Sequence, residues 1–281
     1  MKIIDGKAIS QAIKDEVKER IAKDGIKAKL AVILVGSDPA STVYVNNKKK
    51  ACEYCGIESL SYELDESATE DEVLELIDKL NKDDSVTGIL CQLPLPAHID
   101  EDKVIDAISP LKDVDGFSKL SVGALSLGAP GFQSCTPAGI IQLLKRSGIE
   151  ISGKRCVVMG RSNIVGKPMA MLLLRENGTV TVTHSKTMNI KEITKEAEIL
   201  VVAVGKPEMV DRSYVKEGAV VIDVGIHRLD PEKNGGRKLC GDVNFDDVKD
   251  IVSAITPVPG GVGPMTIAML MYNTLEGALR S

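Results

Sequence analysis

The chain has 281 residues, a length that suits two domains, and 43% of them are hydrophobic, enough for a substantial core. Its 40 acidic side chains outnumber 35 basic ones, so a net charge of −5 argues against nucleic acid as the main partner. No apolar run approaches the ~20 residues that a membrane helix needs, and MKIIDGKAIS lacks the apolar stretch of a signal peptide, so a cytoplasmic protein with no membrane partner is expected.

Ile9, Ile13, Val17 and Ile21 recur every four residues among Lys and Glu, the pattern of an amphipathic helix. LAVILVG (30–36) is a continuous apolar run closing on Gly, as in a buried parallel strand. SDPAS (37–41) carries a helix-start signal, and 41–55 reads as helix. IESLSYEL (57–64) reads as strand, 69–81 as helix, and VTGILCQLPLP (86–96) as a strand entering a Pro-rich loop. A looser segment rich in Gly and Ser runs from Asp113 to Thr136, and 137–147 reads as helix. Strand and helix then alternate again through 155–160, 166–177, 179–184, 190–197, 198–205 and 219–225. PMTIAMLMYNTLEGAL (264–279) sets Pro ahead of an apolar-rich helix, suited to pack back across the N-terminal domain. Buried strands alternating with helices predict an α/β fold with parallel sheets, in one series before the looser segment and one after it.

Six cysteines occur, at positions 52, 55, 91, 135, 156 and 240. Only Cys52 and Cys55 are close, and no second pair or His pair stands at zinc-ligand spacing, so buried thiols and no metal are expected.

CVVMGRSNIVGKPMAMLLL runs from a strand through a Gly-containing turn into a helix. Such a turn lets backbone N–H groups and a helix N-terminus meet a pyrophosphate. Gly160 and Gly166 do not make the regular G-x-G-x-x-G, so an ordinary strand–helix turn is the alternative. The next strand ends in His184-Ser185-Lys186-Thr187, where an NAD-specific fold carries a carboxylate for the ribose 2′-hydroxyl. None is present, and Ser185 and Lys186 with Arg161 suit a 2′-phosphate, so NADP is the expected cofactor.

Tyr44 and Lys48 lie four apart on a predicted helix and share one face. With Lys49 and Lys50 following, a solvated basic face is the plain reading. The helix nevertheless follows the C-terminal end of a buried strand, where α/β folds place ligands. Gln92 lies near the end of another such strand and Asp115 in KDVDGF, so a lysine, an amide, a carboxylate and a tyrosine are expected at one sheet edge.

STVYVNNKKK (41–50), CQLPLP (91–96), KDVDGF (112–117), CTPAG (135–139), GRSNIVGKP (160–168), VTHSKT (182–187), VVAVGKP (201–207), VIDVGI (221–226) and TPVPGGVGPMT (256–266) together resemble the bifunctional methylenetetrahydrofolate dehydrogenase/cyclohydrolase family along nearly the whole chain. The resemblance implies a Rossmann-like NADP-binding domain at 141–259. It also implies an α/β catalytic domain at 1–140 plus 260–281 that binds tetrahydrofolate derivatives, with a cleft between the two, and a homodimer. It makes Lys48 the catalytic lysine, supported by Gln92, with Asp115 on the pterin ring and Tyr44 stacked on the folate. Leu93, Pro259, Gly260, Gly261, Gly263 and Thr266 complete the substrate site. Gly160, Arg161, Ser162, Ser185 and Ile226 line the cofactor site. His227 stands where the family usually has Asn, and Asn244 where Asp is common, which touches cofactor affinity rather than reaction type.

These residue types fit the two steps. Hydride transfer needs positioning, because the cofactor carries the hard chemistry. Opening the methenyl ring with water needs proton transfer, which a lysine supplies when desolvation and a cationic substrate favour its neutral form. A carboxylate suits the adjacent N–H donors of an aminopterin edge. Two other readings share the domain plan: a shikimate-type NADP dehydrogenase, which gives no reason for CQLPLP or PGGVGPMT, and a non-catalytic dinucleotide-binding regulator.

Overall fold

The computed structural model describes residues 1–232, 235–236 and 238–280, with backbone alone for Pro39, Ala40 and Thr42. In chain order its elements are β1 (Lys2–Ile3), α1 (Gly6–Asp24), β2 (Lys29–Val35), α2 (Pro39–Cys55), β3 (Glu58–Leu64), α3 (Glu70–Lys82), β4 (Gly88–Cys91), α4 (Glu101–Ala107), α5 (Lys119–Leu127) and α6 (Cys135–Arg146). There follow β5 (Arg155–Met159), α7 (Gly166–Arg175), β6 (Thr179–Thr183), α8 (Ile190–Thr194), β7 (Ile199–Val202), β8 (Val220–Asp223), β9 (His227–Arg228), β10 (Leu239–Cys240), α9 (Phe245–Val248), β11 (Ala254–Ile255) and α10 (Val262–Arg280), with a 3₁₀ turn at Arg212–Tyr214.

The chain divides into two compact units, Gln11–Cys135 with Ile267–Ser281, and Met1–Ser10 with Thr136–Thr266. The first ten residues pack with the second unit. The cause is β1, which pairs in parallel with β11, Lys2 N donating to Ser253 O at 2.7 Å and Ile4 N to Ile255 O at 2.9 Å. Two residues of strand carry too little pattern to be seen in a sequence.

The first unit holds a three-stranded parallel sheet in the order β3-β2-β4. β2 is buried along almost its whole length, which is why it reads as a continuous apolar run rather than an alternating one. Ala31, Ile33 and Val35 on it pack with Val73, Ile77 and Leu80 of α3 and Ile89 of β4. A capping box starts α3: Glu72 N donates to the Thr69 hydroxyl, and Thr69 N donates back to the Glu72 carboxylate at 2.7 Å. Within the segment read as loose, α5 forms, capped by Ser118. Leu120 and Leu127 on it are exposed and Leu125 is its one buried apolar residue, so no apolar stripe marks it and its Gly and Ser hide it.

The second unit holds a six-stranded parallel sheet in the order β1-β11-β8-β7-β5-β6. β7 is wholly buried, and α7 turns Met169, Ala170, Leu172 and Leu173 inward. β9 and β10 make a short antiparallel ribbon, with His227 opposite Cys240. Among the described residues no helix is long and apolar enough to cross a membrane.

Candidate active site

Both sheets reverse their strand order at one point. In the first unit β2 is followed by β3 on one side and β4 on the other; in the second, β5 is followed by β6 on one side and β7 on the other. Ligands of open parallel sheets bind beyond the carboxyl ends of strands at such a reversal.

In the first unit α2 leaves the end of β2 with the Asp38 carboxylate accepting from Ser41 N at 2.7 Å, and ends on Gly56 in the left-handed region. Its buried residues are Ser41, Val45, Lys48, Ala51, Cys52 and Cys55, a stripe at helical spacing. Lys48 belongs to that stripe and is 8% exposed, whereas Lys49 and Lys50 face water. The solvated-face reading thus holds for Lys49 and Lys50 and fails for Lys48. Tyr44, a turn earlier, is 41% exposed.

Lys48 Nζ donates to Gln92 Oε1 at 2.9 Å. Gln92 leaves the end of β4, its N–H donating to Ile33 O at 2.9 Å, and its Nε2 donates to Leu93 O at 2.6 Å. With Nε2 engaged there, Oε1 is the atom turned to the lysine. The Leu93–Pro94 bond is cis.

KDVDGF docks beside β4 through Ile89 N, which donates to Lys112 O at 2.8 Å. Its first aspartate makes the turn, and its second lies beside the Cys135 thiol in the field of Lys48. Asp113, 1% exposed, accepts from Gly116 N at 3.1 Å, Phe117 N at 3.3 Å, Ser118 N at 2.9 Å and Ser121 Oγ at 2.6 Å. Gly116 is left-handed at φ +70°, and a Cβ on it would lie 2.6 Å from Gln133 C. Burial pushes the Asp115 carboxyl above its ordinary pKa, the Lys48 ammonium pulling the other way and Asp113 adding to the rise. Lys48, Gln92 and Asp115 are therefore brought together. Asp113 was not foreseen, although D-x-x-G, an aspartate ahead of a left-handed glycine, is its signal.

The six cysteines are all buried, with no disulfide and, among the described residues, no group of three ligands able to hold a metal. Burial pushes Cys52 and Cys91 up to about 12, and Cys135 well above its usual value. A raised thiol pKa keeps the reactive thiolate scarce at neutral pH.

In the second unit Gly160 ends β5 at φ +116°, and a Cβ there would overlap Ala203 O, the residue after β7. A Cβ on Gly166 would overlap Gly160 O. The two glycines let strand, turn and helix close tightly. The Ser162 hydroxyl accepts from Val165 N and Gly166 N, both at 3.2 Å, and anchors the start of α7. Arg161, Ser162, Ser185 and Lys186 are exposed. The turns that carry them adjoin, because Gly160 N donates to Thr183 O at 2.9 Å. His184 Nδ1 accepts from Lys186 N at 3.1 Å, a local loop bond. Ile226, after β8, is 49% exposed.

TPVPGGVGPMT separates by residue. Gly260 O accepts from Lys7 N at 3.1 Å, and Gly6 packs so closely on Gly261 that a Cβ on Gly6 would overlap Gly261 O. Those two glycines are explained by chain packing. Gly263, in the first turn of α10, faces open space, and Pro259 is exposed. Thr266 Oγ1 lies 2.8 Å from Thr136 Oγ1.

A Rossmann-type sheet in one unit and a buried lysine–amide–carboxylate group in the other are the parts of a dinucleotide-dependent α/β enzyme. Residues 4–115 match the model of the tetrahydrofolate dehydrogenase/cyclohydrolase catalytic domain, and residues 134–281 that of its NAD(P)-binding domain. The chain belongs to the tetrahydrofolate dehydrogenase/cyclohydrolase family. It is 69% identical to the bifunctional protein FolD of Agathobacter rectalis over 99% of both chains. The bifunctional FolD structure from Campylobacter jejuni covers 100% of this chain and 99% of its own, at 51% identity and TM-score 0.95. The Trypanosoma brucei FolD, complexed with NADP cofactor and inhibitor, covers 99% and 97% at 40% identity and TM-score 0.93. A shikimate dehydrogenase from Thermus thermophilus is matched at 16% identity and TM-score 0.51, a likeness of fold alone.

Proposed function

We propose how the residues of this chain divide the work of its two reactions. The enzyme oxidises 5,10-methylenetetrahydrofolate with NADP to the 5,10-methenyl cation, then hydrolyses that cation to 10-formyltetrahydrofolate. The observation that carries the assignment is the buried Lys48, hydrogen-bonded to Gln92 and set in the field of Asp115.

The residues of the second unit fit NADP. The closely packed Gly160–Gly166 turn opens α7, and Arg161, Ser185 and Lys186 stand exposed on adjoining turns with no carboxylate among 183–189. That arrangement suits a pyrophosphate at a helix start and a 2′-phosphate beside it. Bound NADP supplies the hydride acceptor. Asp115 holds the aminopterin edge through paired N–H donors, Tyr44 lends a flat face, and Leu93 adds an apolar contact to the folate site. Ile226 flanks the nicotinamide.

In hydrolysis, water oxygen bonds to the methenyl carbon, and one water proton leaves for Lys48. Lys48 then protonates N5 as the carbon–N5 bond breaks, and the remaining hydroxyl proton departs to solvent. The balance is methenyl cation plus water to 10-formyltetrahydrofolate plus one proton. Gln92 fixes the Lys48 Nζ without adding charge.

Absorbance at the methenyl band tests the reading, on mixing protein and methylenetetrahydrofolate with NADP or NAD in parallel. A signal with NADP is expected; preference for NAD overturns the roles of Arg161 and Ser185. We also assign a cytoplasmic location, supported by six buried thiols with no disulfide. A homodimer is assigned as well: β6 pairs only with β5 among the described residues and exposes Val182. Sedimentation at monomer mass would remove that assignment.

A further inference from the structure

Two buried carboxylates in the second unit take no part in the steps above. Asp242 is wholly buried and Asp223 3% exposed. Asp242 Oδ2 accepts from Val204 N at 2.7 Å and Gly205 N at 3.0 Å. Its Oδ1 accepts from Lys206 N at 2.9 Å and from His227 Nε2 at 2.7 Å. Asp223 Oδ1 accepts from Gly225 N and Asp242 N, both at 2.9 Å, and Oδ2 from Val243 N at 3.0 Å. Three segments are thereby tied to one node: the loop after β7, the loop after β8 that carries Ile226, and the strand-end at 242–243.

Glycines make room for it. A Cβ on Gly241 would overlap the Asp223 carboxylate, and one on Gly225 would lie 2.5 Å from Asp242 Oδ1. Three successive N–H groups converging on one point form an anion-seeking nest. Here the chain fills its own nest with Asp242.

The location gives the node a purpose. The Val204–Lys206 loop begins at the strand-order reversal, beside the Gly160 turn, to which Ala203 is joined by its N–H to Met159 O at 2.8 Å. We propose that Asp242, held by Asp223 and tied to His227, is a positioning residue for the dinucleotide: it sets one wall of the crevice and fixes the segment bearing Ile226. This rests on the NADP site proposed above. The cyclohydrolase step draws no hydride, so the node acts on cofactor affinity and leaves hydrolysis alone.

His227 offers the clean test, because it sits at the rim of the node, with 21% of its side chain exposed. Calorimetric titration with NADP is run alongside methenyl hydrolysis assayed without NADP. His227→Ala weakens NADP binding about tenfold, the scale of one lost hydrogen bond to a charged acceptor. Its hydrolysis rate stays at the wild-type value. His227→Gln, whose amide still donates to Asp242, recovers affinity to within about threefold of wild type. Asp242→Asn loses more, since an amide nitrogen then faces backbone donors; if that variant does not fold, the His227 pair still decides. Wild-type NADP affinity in His227→Ala overturns the proposal, as does a parallel fall in hydrolysis, which marks general destabilisation. A wild-type chain that binds no NADP refutes the cofactor site itself, a separate result.

Discussion

The two sheets solve the same topological problem with opposite materials. At the reversal between β2 and β4, side chains do the work: a lysine is drawn onto the buried stripe of α2 and met by an amide from one strand end and a carboxylate from a shaped turn. At the reversal between β5 and β7, the backbone does it: glycines close the turn, and the basic side chains Arg161 and Lys186 stay in water. Chemistry that moves protons calls for desolvated groups with few alternatives. Holding a large anion calls for many weak donors at fixed places. The same strand order serves either end.

The comparison breaks first at Lys48. Lys48→Met is expected to lower methenyl hydrolysis by about a thousandfold, within the range of lost acid–base catalysis, with NADP affinity unchanged by calorimetry. Hydrolysis at the wild-type rate would return Lys48 to the ranks of Lys49 and Lys50.

Next comes the buried carboxyl of the other sheet. Burial pushes Asp223 up to about 6, against an ordinary value near 3.8. Between those values the folded chain holds a proton that the unfolded chain has released. The contribution of Asp223 to unfolding free energy therefore falls as pH rises from about 4 to about 6, by up to about 3 kcal/mol. Urea denaturation of the wild type beside Asp223→Asn, at steps across that interval, checks it. A difference between the two that stays constant, or moves the other way, would contradict the sign.

Gly166→Ala presses a methyl group onto Gly160 O, and a loss of about 2 kcal/mol with weakened NADP binding is expected, the cost of overpacking. Thermal denaturation and cofactor titration measure it, and the surviving enzyme retains hydrolysis if the two ends are as separate as their materials. The smallest effect belongs to a side chain in water. Arg161→Ala should weaken NADP about tenfold and NAD hardly at all, because the lost partner is the 2′-phosphate. Equal losses for both cofactors would place Arg161 on the pyrophosphate instead.

Much of this was legible in the chain. Continuous apolar runs marked β2, β5, β7 and β8 because strands buried on both faces need no alternation. Gly160 and Gly166 stood out because a missing side chain at a strand end has few causes. Lys48 was harder: three lysines in a row look alike, and only the phase of α2 picks one out. α5 was hidden because Leu125 alone among its apolar residues is fully buried, too few to mark a stripe. Asp113, Asp223 and Asp242 were passed over because an aspartate that accepts backbone N–H groups within its own fold looks, in sequence, like any surface carboxylate. Such residues show themselves only once the loops that they hold have been traced.

The pairing of β1 with β11 has a consequence for how the polypeptide is made. Lys2 and Ile3 pair with Ala254 and Ile255, about 250 residues further along the chain. During synthesis β1 therefore waits for β11 before it finds its place. Because β1 lies at the outer border of the sheet, the other five strands can assemble while it waits, and docking it is a late addition rather than a nucleus. A bulky fusion placed just ahead of β1 would thus burden a late step of maturation rather than an early one.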